Sequence, residues 1–400
     1  MTTADATEHA HPHRRSPHEP PRRGRLHVVP ARVEHGADAD GALQVAEIGP
    51  LDLELGGHLE NVSLAYRTWG RLNAAGTNAV IILHALTGDS RATGDGGWWE
   101  PLVGPGRAID TNRAFVVCAN VLGGCQGSTG PASADPLTGR PYAMRFPLIT
   151  IADIVVSQRR LLEALGVTRV MAVGGSIGGF QAFEWATRHA DMVSASAPIA
   201  ATGALDPQGI AMNEIGRRAI MADPDWRGGN YAVEGVFPEQ GLAIARMVGM
   251  VTYHSKASMD MRFGRSPAVR PSLYPSFGST FDVEGYLHYH GAALVKRFDA
   301  NSYLYLTRAM DQYDMARDGG EAHWLERIAA PMLLVGITSD WLFPADPIRA
   351  LTERVAAAGK DVTYHEIDSP DGHDAFLKEW DQMTAAVGPF VEEHLPGDGS

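Results

Sequence analysis

Short apolar runs bounded by glycine or polar residues recur along this chain. Ala79-Val-Ile-Ile-Leu83, Phe115-Val-Val-Cys-Ala119, Val170-Met-Ala-Val173 and Pro331-Met-Leu-Leu-Val335 carry no charged side chain. Runs of that length and uniformity suit strands buried on both faces of a parallel sheet. The stretch from Val45, then Val62–Arg67 and Val362–Ile367, are also strand-like. Ile151–Leu165 has helical spacing instead, with Gly166 as its stop signal, and Phe180–Arg188 is helical again. Strands alternating with helices predict an α/β fold, a mostly parallel sheet with helices on both faces.

The pattern changes between 201 and 315. Helical stretches are predicted at Ile210–Met221, Leu242–Tyr253, Val283–Phe298 and Ser302–Met315, with no buried strand among them. Methionines concentrate there, and Met fills irregular gaps and adaptable surfaces. The segment is therefore expected to be a helical cap, or lid, inserted into the sheet. The implied organisation is a disordered tail over 1–42, core over 43–200, helical lid over 201–315 and the rest of the core over 316–400. At 400 residues the chain exceeds the size at which one core stops growing, in keeping with an insertion.

Composition then narrows the function. The tail is rich in Pro, Arg and His and lacks hydrophobic periodicity, so it cannot offset its chain entropy. Its histidines (His9, His11, His13, His18, His27 and His35) suit a solvated segment better than a metal site. A formal net charge of −13 speaks against a nucleic-acid or anionic-membrane binder. The two cysteines are too few for a disulfide framework, and both Cys118 and Cys125 read as non-functional. With no bilayer-length apolar stretch and no signal-peptide pattern, a cytoplasmic protein is expected, with no metal or cofactor.

The sharpest chemical signal is Val173-Gly174-Gly175-Ser176-Ile177-Gly178-Gly179, a G-x-S-x-G pattern between an apolar strand and a helix. A strained strand-to-helix turn of this kind lifts a serine hydroxyl above a sheet. A Gly-rich turn could also bind phosphate, but no P-loop lysine or spaced GxGxxG accompanies it. A serine nucleophile needs a base and an orienting carboxylate, in the chain order Ser, Asp, His. Asp340, closing the run that starts at Leu333, and His373, in the loop after the last strand, fit that order. Asp346 and Asp368 are weaker alternatives. Among histidines, His254, His288 and His290 fall in the cap, His365 within a strand, and His84 is read as structural. The backbone N–H groups of Ile177 and Leu86 are the expected oxyanion donors.

With these residues in place, the chain resembles the homoserine O-acetyltransferases of the α/β-hydrolase type. The resemblance is carried by Leu83-His-Ala-Leu-Thr-Gly-Asp-Ser90, Asn120-Val-Leu-Gly-Gly-Cys-Gln-Gly-Ser-Thr-Gly-Pro131, Arg145-Phe-Pro-Leu-Ile149, Gly174–Gly179 with Glu184-Trp185, Gly336-Ile-Thr-Ser-Asp340 and Gly372-His-Asp374. It spans nearly everything after residue 45. It implies ping-pong transfer of an acetyl group from acetyl-CoA to L-homoserine, serving methionine biosynthesis, with Ser176, Asp340 and His373 as the triad. It also implies that Arg246 holds the amino acid's carboxylate, that Tyr253 lines the same pocket, and that Asp374 receives the amino group. A homodimer is implied as well. Ile177, Phe180 and Phe183 depart from the family's usual residues. Close relatives use succinyl-CoA or L-serine, and an esterase or acyl-CoA hydrolase would carry the same triad. A non-catalytic binding module of the same fold is the reading that a missing triad member would have favoured.

Overall fold

The computed structural model of the protein describes residues 40–268 and 280–396. Most of the tail read at 1–42 lies outside these residues, but Asp40 already bridges Thr68 and the Gly41 N–H donates to the Thr68 carbonyl. Eight strands form one sheet: β1 (Gln44–Asp52), β2 (His58–Trp69), β3 (Ala79–Leu83), β4 (Phe115–Ala119), β5 (Val170–Gly175), β6 (Val193–Ile199), β7 (Met332–Ile337) and β8 (Val362–Ile367). Their order across the sheet is β1-β2-β4-β3-β5-β6-β7-β8. β1 and β2 run antiparallel to their neighbours, and the other pairings are parallel.

The uniformly apolar strands are explained by burial on both sides. Ala79, Ile81 and Leu83 of β3 enter one core, whereas Val80 and Ile82 enter the other. β4 and β5 alternate in the same way, so neither face can accept a polar side chain. The first core is covered by α1 (Ile151–Ala164), α2 (Ile177–Arg188) and, after the helical segment, α8 (Ala345–Ala357). The second is covered by α9 (Trp380–His394) and by the segment around Trp99 and Ile109.

Helix α1 shows how local chemistry sets its limits. Thr150 and Asp153 form a capping box at its start, and Gly166 follows its end at φ 83°, a conformation only glycine adopts freely. Between β6 and β7 come α3 (Pro207–Ala222), α4 (Glu239–Tyr253), α5 (Asp282–Val295), α6 (Ala300–Gln312) and α7 (Gly320–Arg327). Helix α6 stops at Gln312, short of the expected Met315, because Tyr313 turns to extended backbone and buries its ring against Phe180. The parallel strands β3, β5, β7 and β8 all end on one edge of the sheet, where α4 packs on the turn that follows β8. Open parallel sheets place their ligand sites at that edge. No helix among the described residues is long and apolar enough to cross a membrane.

Candidate active site

The chain leaves β5 at Gly175 and enters α2 at Ile177, so Ser176 must reverse direction within one residue. It does so at φ 61° and ψ −125°, a backbone conformation that costs on the order of 1–3 kcal/mol. The Ser176 N–H donates to the Ile199 carbonyl at 3.0 Å, and its carbonyl accepts from the Gly179 N–H at 2.8 Å. The flanking glycines are required by close approach. A Cβ on Gly178 would lie 2.1 Å from the Leu83 carbonyl oxygen, and one on Gly179 2.4 Å from Ala201 Cβ. α2 can thus sit tightly against the end of β3.

Asp340 follows β7 and has a fully buried side chain. Its Oδ1 accepts from the N–H groups of Leu342 and Phe343, each at 2.9 Å. Its Oδ2 lies 2.6 Å from Nδ1 of His373. Asp346, by contrast, pairs with Arg349, and Asp368 accepts from the Thr338 hydroxyl. Asp340 is therefore the carboxylate brought to a histidine. His373 stands in a 3₁₀ turn (Gly372–Leu377), not in the loop expected there. Burial pushes its pKa down, but the charge and hydrogen bond of Asp340, aided by Asp374, outweigh this and raise it. With Nδ1 donating to Asp340, Nε2 is buried and has no hydrogen-bond partner among the described residues. Phe343 and Phe376 pack on the imidazole, with ring centroids 5.2 and 5.5 Å away. Phe376 also packs on Gly175, where an added Cβ would come within 2.6 Å of its ring. The His373 turn is thereby seated beside the residue preceding Ser176.

Ser176 opens onto a cavity of about 30 Å³ lined by Leu86, Met212, Val248, Tyr253 and Tyr303 among others. Neither the Leu86 nor the Ile177 N–H donates a hydrogen bond among the described residues. Ile177 opens a helix, where the first N–H groups have no intrahelical acceptor.

A family model for the alpha/beta hydrolase fold matches residues 78–379. A homoserine O-acetyltransferase from Moorella thermoacetica is 49% identical over 86% of this chain and 94% of its own length. The chain belongs to the homoserine O-acetyltransferase family. Among solved structures, a homoserine O-acetyltransferase from Bacillus anthracis superposes with a TM-score of 0.82 at 27% identity, covering 89% of this chain and 98% of that one. An acetylester hydrolase from Corynebacterium glutamicum gives 0.75 at 28%, over 88% and 96%.

Arg246 and Asp374, the residues expected to hold an amino acid, both act electrostatically on Tyr253. The Arg246 guanidinium lies 5.5 Å from the Tyr253 ring centroid and donates weakly to the Thr87 hydroxyl at 3.4 Å. Arg246 and Asp374 form no ion pair with each other or with any other side chain among the described residues. Burial raises the Tyr253 phenol pKa; Arg246 opposes that rise and Asp374 adds to it. His254 is engaged elsewhere, bonded to the Tyr286 hydroxyl at 2.7 Å, and His290 meets the Tyr286 ring edge-on. His365 lies in β8 opposite Val335. Cys118 is buried, and burial pushes the Cys125 thiol up to about 11, so neither offers a thiolate near neutral pH. Sequence reasoning missed Phe343 and Phe376. Nothing in their sequence context marks them as partners of a histidine.

Proposed function

We propose that this protein transfers an acetyl group from acetyl-CoA to the hydroxyl of L-homoserine through an acyl-Ser176 intermediate. The observation that carries the reading is the His373 imidazole, bonded through Nδ1 to Asp340 at 2.6 Å while its buried Nε2 has no hydrogen-bond partner among the described residues. Such a nitrogen accepts the Ser176 hydroxyl proton as Oγ attacks the thioester carbonyl. The oxyanion is held by the Leu86 and Ile177 N–H groups, and losing one donor costs on the order of 3 kcal/mol. The intermediate collapses, and the CoA thiolate leaves with the proton from His373. Homoserine then binds with its carboxylate on Arg246 and its ammonium group near Asp374, with Tyr253 beside them. Its hydroxyl gives a proton to His373, attacks the acyl carbon, and Ser176 recovers its proton. A guanidinium suits a carboxylate because its paired donors match both oxygens.

Work in the cytoplasm, as a homodimer serving methionine biosynthesis, is part of the same proposal and rests on family membership. The likeness to an acetylester hydrolase favours one rival, transfer of the acyl group to water. The opposite charges of Arg246 and Asp374, which form no ion pair among the described residues, favour a zwitterionic acceptor. Product analysis with acetyl-CoA and saturating homoserine decides between them. O-acetylhomoserine should dominate, and free acetate as the main product would favour the hydrolase.

A further inference from the structure

The oxyanion donor Leu86 sits in a tight turn whose anchoring the triad leaves unexplained. The Gly88 N–H donates to the Ala85 carbonyl at 2.8 Å, which makes Leu86 and Thr87 the corners of a β-turn. The same Ala85 carbonyl lies 2.8 Å from Nδ1 of His84. Nε2 of His84 accepts from the Val121 N–H at 3.2 Å, so in the neutral ring the proton is on Nδ1, and Nδ1 is the donor to Ala85. Burial pushes the His84 pKa down, which keeps the ring in that neutral form. A Cβ on Gly88 would come within 3.0 Å of His84 Cβ and 3.2 Å of Nδ1, so the turn closes directly on the imidazole.

The Ala85 carbonyl and the Leu86 N–H belong to one peptide unit. A trans peptide is planar, with its C=O and N–H pointing in opposite directions. Two donors that fix the carbonyl therefore fix the direction of the N–H. We propose that His84 is a positioning residue of the acyl-transfer step: its Nδ1–H, through the shared Ala85–Leu86 peptide, aims the Leu86 N–H at the oxyanion formed on Ser176. His84 touches neither substrate nor the reacting atoms. The proposal rests on the acyl-Ser176 reading above.

An amide pair separates the two ring nitrogens. In His84→Asn the side-chain NH₂ takes the place of Nδ1 and keeps the bond to Ala85, whereas in His84→Gln the amide reaches the Nε2 position and Val121 only. Rapid mixing with p-nitrophenyl acetate, without homoserine, reads the acylation rate as the p-nitrophenol burst. His84→Asn should stay within about threefold of the parent, and His84→Gln should fall about tenfold or more, since a mis-aimed donor forfeits part of the 10²–10³ of a deleted one. The homoserine KM, measured in full turnover, should stay within about twofold in both. If His84→Gln does not fold, His84→Leu serves as the donor-free variant. Equal burst rates in the two variants, or a slower His84→Asn, would overturn the proposal and make the contact with Val121 the one that matters. A parent protein with no burst at all would remove the acyl-Ser176 reading along with it.

Discussion

At the scale of single residues, the site depends on what is absent as much as on what is present. Gly178 has an ordinary helical backbone, yet a methyl group there would sit 2.1 Å from a backbone oxygen that ends β3. Backbone cannot swing aside as a side chain can, so Gly178→Ala should displace the start of α2. We expect thermal denaturation to show a loss of about 2–4 kcal/mol, within the range for overpacked cores and forced backbone shifts, with acylation slowed as Ser176 moves. Asp340 acts on pH. Its charge and hydrogen bond hold the His373 pKa above 6.5 against burial. Since His373 must be neutral to accept a proton, the acid limb of kcat/KM should have its midpoint above 6.5 and should move down in Asp340→Asn. In that variant kcat should fall by roughly 10³–10⁴, as when a triad carboxylate is replaced by its amide. Unchanged profiles in the two proteins would sever the Asp340–His373 link.

At the scale of elements, strands buried on both faces were the most readable feature, because only apolar side chains survive there. β3 and β4 occupy the runs read for them, and the elbow stood where the G-x-S-x-G pattern put it. β6 was not legible. Val193-Ser-Ala-Ser-Ala-Pro-Ile199 lies in the sheet's centre, but its small side chains leave room for α2 and carry little hydrophobic signal. The Ser196 hydroxyl hides its polarity by donating to the Ala182 carbonyl at 2.9 Å. α2 also buries Glu184, whose pKa is pushed up to about 7 by desolvation despite Arg188 Nε at 3.0 Å. An acid raised in the folded state stabilises the fold below its unfolded value near 4.5, and that contribution is lost as pH rises toward 7. Glu184→Gln should flatten this dependence. Relative to the parent it should gain stability between pH 5 and 8, on the order of 3 kcal/mol at most. Parallel stability curves for the two proteins would contradict it.

At the scale of the whole molecule, residues far apart in the chain are carried to one edge of the sheet because parallel strands end together. Leu86 follows β3, Ser176 follows β5, Asp340 follows β7 and His373 follows β8. Chain order and strand-end position sufficed to name the triad candidates from sequence. The supports of the site were not legible, because Phe343, Phe376 and the two bonds of the His84 ring depend on three-dimensional neighbours that no local pattern encodes. The helices between β6 and β7 supply Met212, Val248 and Tyr253 to the cavity at Ser176. The most direct test of the acyl-enzyme is mass spectrometry of the intact protein, quenched after mixing with acetyl-CoA in the absence of homoserine. The account predicts one added acetyl group per chain, mapped by peptide digestion to Ser176 and discharged when homoserine is supplied. An unmodified chain that still releases O-acetylhomoserine, or an acetyl group on any other residue, would contradict it.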